Sequence, residues 1–219
     1  MARLQLSQQR VTGVKRLNIG KIILFCEGIT EKYYFDYFAQ IINKDENKYN
    51  NVVITTETAN GNAQNVLNYS IAFLCDEENN RLYSNYGKYL VFDCDDPADI
   101  ASVITQATAH ANGYNLLVSN HFFETWLLMH FEEVEQKLSK KQTYKKLSEH
   151  LSAQYKKGQK GRTREMILKG DIEKAIDNAR NLEKKYAQTG KTIYDSIESM
   201  NPYTNVYTLV EQLMLLISQ

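Results

Sequence analysis

Two acidic groups stand directly behind apolar runs. Glu27 follows Lys21-Ile22-Ile23-Leu24-Phe25-Cys26, and Asp93-Cys94-Asp95-Asp96 follows Tyr89-Leu90-Val91-Phe92. Carboxylate oxygens are hard donors suited to Mg²⁺ or Mn²⁺, which keep several waters and take one or two protein carboxylates together with a phosphate. Such an ion neutralises phosphoryl charge and lowers the pKa of a bound water. Side chains two apart on an extended segment share a side, so Asp93 and Asp95 can converge. Three acids within four positions repel one another unless a cation or a basic side chain offsets them. The expectation is a divalent-metal site on Glu27, Asp93 and Asp95, with Asp96 assisting. For any one of these residues taken singly, a turn former or helix cap is the plainer alternative.

Such a site needs strand ends to carry it. Lys21 to Cys26 and Tyr89 to Phe92 read as strands buried on both faces, and Val52 to Thr56 and Asn115 to Ser119 as two more. Between them lie helical patterns: one from Thr30, a capping candidate, through Ile42; one from Ala63 to Leu74 after the Asn60-Gly61-Asn62 turn; one from Ala98 to Asn112, ended by Gly113; and an apolar helix from Phe123 to Phe131. Strand and helix in alternation predict a parallel four-stranded sheet with helices on both faces. In such sheets ligands sit beyond the carboxyl ends of the strands, where Glu27 and Asp93 fall. From Glu132 onward no strand is evident, and helices over 171–188 and 205–217 read as a C-terminal α-helical extension. The divisions are a basic lead-in over 1–19, an α/β domain over 20–131 and a basic helical extension over 132–219.

Net charge is zero, with 26 basic and 26 acidic residues, but the two signs are segregated. Residues 1–136 hold 10 basic and 17 acidic side chains, whereas residues 137–164 hold 10 basic and only Glu149. An acidic region beside a concentrated basic one suits a site that collects cations and holds a polyanion; a solvated helix face is the alternative. Cys26, Cys75 and Cys94 form no CxxC pair and read as reduced, mostly buried thiols, which points to the cytoplasm. No signal-type apolar stretch follows the start and no run of 18 apolar residues occurs, so a soluble protein without a membrane partner is expected. His110, His121, His130 and His150 lack zinc spacing, and P-loop, dinucleotide and serine-hydrolase motifs are absent.

Glu27-Gly28-Ile29-Thr30-Glu31 behind a buried strand, with Asp93-Cys94-Asp95-Asp96 two units later, resembles the Toprim domain of primases, topoisomerases and OLD-type nucleases. Three further stretches resemble the RloB-like proteins found with bacterial restriction and abortive-infection loci. They are Cys26 to Glu31 with Tyr34-Phe35, Ser119-Asn120 through Phe123-Glu124-Thr125-Trp126-Leu127-Leu128-Met129-His130-Phe131, and Asn201-Pro202-Tyr203-Thr204-Asn205-Val206. The resemblance spans residues 20 to about 215. It implies a Toprim-like, Rossmann-like fold, Glu27 as metal ligand or general acid/base, Asp93 and Asp95 as metal-binding aspartates, and a role in anti-phage defence. The family often has a proline after Ser-Asn and a basic residue inside Asp-x-Asp-Asp; His121 and Cys94 stand there, and Cys94 should point away from both aspartates.

Glu124 is either an auxiliary metal ligand or a structural tie; Asn120 and His130 read as structural, Trp126 to Met129 as core and Asn205 as a cap for the last helix. The basic stretch offers Lys145, Lys146, Lys156, Lys157, Lys160, Arg162 and Arg164 to nucleic acid, interleaved with Tyr144 and Tyr155. Lys156 or Lys157, beside a Gly-containing loop, could stabilise a scissile phosphate. The leading functional expectation is a Mg²⁺-dependent nuclease acting on DNA or RNA. The second is a non-catalytic nucleic-acid or nucleotide-binding module that works with a separately encoded ATPase. Nucleotidyl transfer or strand passage is a third, since fifteen tyrosines supply nucleophiles without one standing out. A phosphoacceptor receiver domain would leave the helical extension unexplained.

Overall fold

The computed structural model describes residues 19–45, 48, 49, 51–94 and 97–218, the side chains of 97–99 excepted. Asp95 and Asp96, two of the expected ligands, lie outside the described residues, as does the lead-in up to residue 18.

The elements run β1 (Lys21–Cys26), α1 (Ile29–Ile42), β2 (Val53–Thr58), α2 (Ala63–Cys75), α3 (Glu77–Tyr83), β3 (Gly87–Asp93), α4 (Pro97–Ala109), β4 (Tyr114–Asn120), α5 (Glu124–Met129), α6 (Lys140–His150), α7 (Lys160–Lys169), α8 (Ile172–Gln188), a 3-10 turn over Ile197–Ser199, β5 (Tyr203–Thr204) and α9 (Tyr207–Ile217). The sheet order is β2-β1-β3-β4-β5, with the first four strands parallel and β5 antiparallel to β4. The expected four-stranded sheet therefore has five strands. The fifth was invisible in sequence because two residues carry no periodicity; tertiary pairing of Ser119 with Thr204 and Asn120 with Tyr203 makes the strand.

The apolar runs alternate between two cores. Ile22, Leu24, Cys26, Val91 and Leu117 face one side with α1, α5 and residues of α6 to α9; Ile23, Phe25, Leu90, Phe92 and Val118 face the other with α2 and α4. Burial on both faces explains why β1, β3 and β4 read as continuous apolar runs. Trp126, Leu127, Leu128 and Met129 are fully buried core, as expected.

Both flanks of the sheet are closed by an asparagine amide. Asn43 accepts from Ile54 N–H at 3.0 Å and donates to Ile54 C=O at 2.8 Å on β2. Asn205 accepts from Val118 N–H at 2.7 Å and donates to Leu116 C=O at 2.9 Å on β4. Each amide satisfies backbone groups that an edge strand would otherwise leave open. Asn205 is thus not the cap expected for α9, whose first flanking residue is Val206. Thr30 likewise lies inside α1 rather than capping it; Gly28 holds the cap position. Of the cysteines, Cys26 and Cys94 are buried but Cys75 is exposed, at the end of an amphipathic helix. Among the described residues no helix is long and apolar enough to cross a membrane.

Candidate functional site

The chain leaves β1 toward β2 on one side and later returns past β1 to form β3 on the other. The switch point of the sheet therefore lies between the carboxyl ends of β1 and β3, where connecting segments diverge and leave a crevice. Glu27 follows β1 and Asp93 ends β3. Glu27 N–H donates to Val91 C=O at 2.9 Å, and one carboxylate oxygen of Glu27 accepts from Asp93 N–H at 2.9 Å. Glu27, 7% exposed, thereby fixes the main chain at Asp93.

Asp93 shares its parity with Val91, on the side of the sheet covered by α1 and α5. Three further side chains act on it electrostatically there. Glu31 comes from the first turn of α1 and is 1% exposed; Glu124 comes from the first turn of α5 and is fully buried. Lys157 comes from the loop between α6 and α7, and its ammonium lies 3.8 Å from Glu31 Oε1 and 3.7 Å from Asp93 Oδ2. Both oxygens of Glu31, both of Asp93 and Oε2 of Glu124 are buried without a hydrogen-bond partner. Glu124 Oε1 accepts from Tyr155 at 2.8 Å and from Tyr144 at 3.3 Å.

Burial drives the electrostatics. It raises the pKa of Glu31, with Lys157 pulling partly the other way. It raises Asp93 well above the carboxylate range, and the charges of Glu31 and Glu27 add to the rise. For Lys157 burial acts downward, but the carboxylates of Glu124, Glu31 and Asp93 outweigh it and hold the amine above its ordinary value. Tyr155 is pushed up by burial first and by Glu124 second. One ammonium thus faces several buried acids, a charge imbalance that favours uptake of a proton or of a further cation.

The donor set fits Mg²⁺ or Mn²⁺ in its chemistry, since the atoms around Lys157 that lack a hydrogen-bond partner are carboxylate oxygens. Among the described residues, however, no three Asp, Glu, His or Cys side chains stand close enough to hold an ion as they are.

Of the residues singled out in sequence, Glu27, Asp93, Glu124 and Lys157 come together. The rest of the basic stretch divides. Lys146 is paired with Glu132 at 2.5 Å, and Arg162 with Glu165 at 2.6 Å and Ser152 at 2.9 Å. Lys145, Lys156, Lys160 and Arg164 are exposed, and Lys160 stands 5.9 Å over the Tyr33 ring. Asn120 donates to Ile197 C=O at 2.6 Å, and His130 meets the Tyr34 hydroxyl at 3.2 Å, both buried ties. Glu31, Tyr144 and Tyr155 entered the sequence reading only as motif or spacer residues. The signal for Glu31 was available: one helical turn behind Gly28, at the start of α1, it returns to the strand end.

A family model described as RloB-like protein matches residues 22–213. No curated protein and no solved structure matches the chain.

Proposed function

We propose that this chain, which belongs to the RloB-like family, is a nuclease of Toprim type that hydrolyses phosphodiester bonds of DNA or RNA with Mg²⁺ or Mn²⁺, in defence against phage. One observation carries the reading: at the switch point of the sheet the buried carboxylates of Glu31 and Asp93 face the ammonium of Lys157, and Oε2 of buried Glu124 has no hydrogen-bond partner. Asp93, Glu31 and Glu124 would hold the ion, together with Asp95 and Asp96 as the acidic motif implies. The bound ion would neutralise phosphoryl charge and acidify a water. Glu27 keeps Asp93 in place through its main-chain N–H. Lys157, 34% exposed at its side chain, presents a fixed positive charge to a phosphate entering from solvent. Exposed Lys156, Lys160 and Arg164 flank it in sequence and serve the backbone of the nucleic acid.

The test is incubation of the protein with labelled single- and double-stranded DNA and RNA, with Mg²⁺, Mn²⁺ or chelator, beside Glu27→Gln, Asp93→Asn and Glu31→Gln. Cutting that requires metal and is lost in Asp93→Asn and Glu31→Gln is expected. Cutting that survives both changes would remove the mechanism.

A second reading, a binding module working with a separate ATPase, draws on a different observation. Lys157 already supplies a cation to Glu31 and Asp93, and among the described residues no three acidic groups stand close enough to hold an ion as they are. Nucleic-acid binding that depends on metal and on Asp93, without any turnover, would favour it.

A further inference from the structure

Tyr155, on the loop after α6, is 2% exposed yet carries a hydroxyl. That hydroxyl donates to Glu124 Oε1 at 2.8 Å, and Tyr144 on α6 donates to the same oxygen at 3.3 Å. The two rings meet edge to face, with centroids 4.9 Å apart and planes at 84°, so each restrains the other. Three residues beyond Tyr155, Gly158 N–H donates to Thr30 Oγ1 at 2.9 Å, with the Gly158 backbone at φ +79° and the position of its missing Cβ 3.0 Å from Ile29. A side chain at 158 would be strained and would crowd α1, so glycine lets the loop lie against that helix. Residues 155–158 therefore form a strap pinned at both ends, to α5 through Tyr155 and to α1 through Gly158. Lys157 is carried between the pins.

We propose that Tyr155 is a positioning residue of this centre: its hydroxyl, hung on Glu124, fixes the strap that brings Lys157 to Glu31 and Asp93, and it commits Glu124 Oε1 so that Oε2 is left for what the site binds. A tyrosine kept only to fill space would be replaceable by phenylalanine. A buried hydroxyl costs free energy unless it has a partner, and here the partner is a carboxylate of the site itself. The inference rests on the nuclease reading only for its consequence in turnover; the link from Tyr155 to Lys157 belongs to the protein without metal or substrate.

The experiment is lysine acylation of the metal-free protein, read by mass spectrometry, with the neighbouring exposed Lys156 as internal control. Lys157, held by two carboxylates, should label more slowly than Lys156. Tyr155→Phe should speed Lys157 labelling by about tenfold, the size expected for loss of a hydrogen bond to a charged acceptor, and leave Lys156 unchanged. Amide exchange at Gly158 should rise in parallel. Unchanged Lys157 labelling and Gly158 exchange in folded Tyr155→Phe overturn the proposal. Should that variant fail to fold, Glu124→Leu removes the acceptor and tests the same pin from the other side, and Gly158 exchange unaffected there overturns it equally. Mn²⁺ titration by calorimetry, run alongside, keeps the two readings apart. A wild-type protein that takes up no Mn²⁺ sinks the metal site, while the labelling ratio still decides the role of Tyr155.

Discussion

The Cβ that Gly28 lacks would lie 2.7 Å from Oε2 of Glu31. The backbone at Gly28, φ −133° and ψ 172°, is extended and open to any residue, so the glycine serves the space beside it rather than its own conformation. The Glu-Gly-x-x-Glu spacing acquires a physical meaning: the helix returns the second glutamate over the residue behind the strand, and only glycine leaves room for its carboxylate there. Because the obstructing atom is the end of a flexible side chain, Gly28→Ala should fold with a stability change within about 1 kcal/mol. The displaced carboxylate should reduce cutting tenfold or more, since about 1.4 kcal/mol of lost transition-state stabilisation is a factor of ten. Thermal melting and the nuclease assay on one preparation check both halves. Cutting at the wild-type rate would take Glu31 out of the site.

The raised acids give stability a pH dependence of definite sign. The fold keeps the protons of Asp93 and Glu31 over a range where the unfolded chain has already lost them. Their contribution is complete below the ordinary carboxylate range and is lost as pH rises through their raised values, at up to about 1.4 kcal/mol per pH unit for each proton. Denaturant titrations from pH 4 to 8 should show this fall in the wild type and a flatter curve in Asp93→Asn. Mg²⁺ or Mn²⁺ at the upper end should restore stability in the wild type only. A cation effect equal in both proteins would place the ion elsewhere.

His130 works in the opposite direction. It is 1% exposed, and burial lowers its pKa from 6.5 to about 3, so it is neutral in the fold beside the Tyr34 hydroxyl. A base with a depressed folded pKa contributes stability that is present above the unfolded value and lost as pH falls through the folded one. Between pH 6.5 and about 3 the wild type should lose roughly 1.4 kcal/mol per unit more than His130→Gln. Parallel acid-denaturation curves for the two proteins would show that His130 is protonated in the fold.

How the site was legible follows from the same chemistry. Glu27 and Asp93 could be placed at the carboxyl ends of two strands because β1 and β3 are unbroken apolar runs and acids stop them; that the two strands are neighbours came from the sheet order. Glu124 and Lys157 stood out as a lone acid beside an apolar helix and as a lysine beside a loop glycine. Neither pattern says which charge meets which, since residues 31, 93, 124 and 157 are joined only by tertiary packing. Glu31 was hidden inside its motif because a charged residue in a first helical turn is ordinary there. Tyr144 and Tyr155 read as aromatic spacers in a basic run; that their hydroxyls share one buried carboxylate oxygen depends on how α5 and α6 pack. β5 and the amide of Asn205 were illegible for a related reason: a two-residue strand and a side chain that imitates one leave no periodic trace.

Asn205 is therefore a stability position. Its amide closes Val118 N–H and Leu116 C=O inside the protein, and Asn205→Leu strands both groups. Each buried group left without a partner costs about 1–3 kcal/mol. Asn205→Asp retains the acceptor for Val118 and loses only the donor to Leu116, though it adds a buried charge. Equilibrium unfolding in urea should show a loss of a few kcal/mol for Asn205→Leu. Loss below about 0.5 kcal/mol, the range of ordinary surface changes, would mean that solvent reaches this edge of β4.

The basic residues should separate into those that bind nucleic acid and those that only support the fold. Lys160 and Arg164 stand one helical turn apart on α7 and are both exposed, so they can meet successive phosphates on one face. Lys146 and Arg162 are already committed to Glu132 and Glu165. Each phosphate contact adds about 0.9 to the slope of log affinity against log salt on duplex DNA and about 0.7 on single strands. The double change Lys160→Ala with Arg164→Ala should lower that slope by roughly 1.4 to 1.8, with the same loss on every sequence. Lys146→Ala and Arg162→Ala should leave it nearly untouched. Lys157→Ala should part binding from chemistry, changing the slope by no more than one contact while abolishing cutting, because its partners are Glu31 and Asp93 at the centre of the site. Fluorescence anisotropy over a salt series, beside a cleavage assay, measures both; a slope that drops as much for Lys146→Ala as for the α7 pair would mean that the α6 and α7 charges act as one diffuse field.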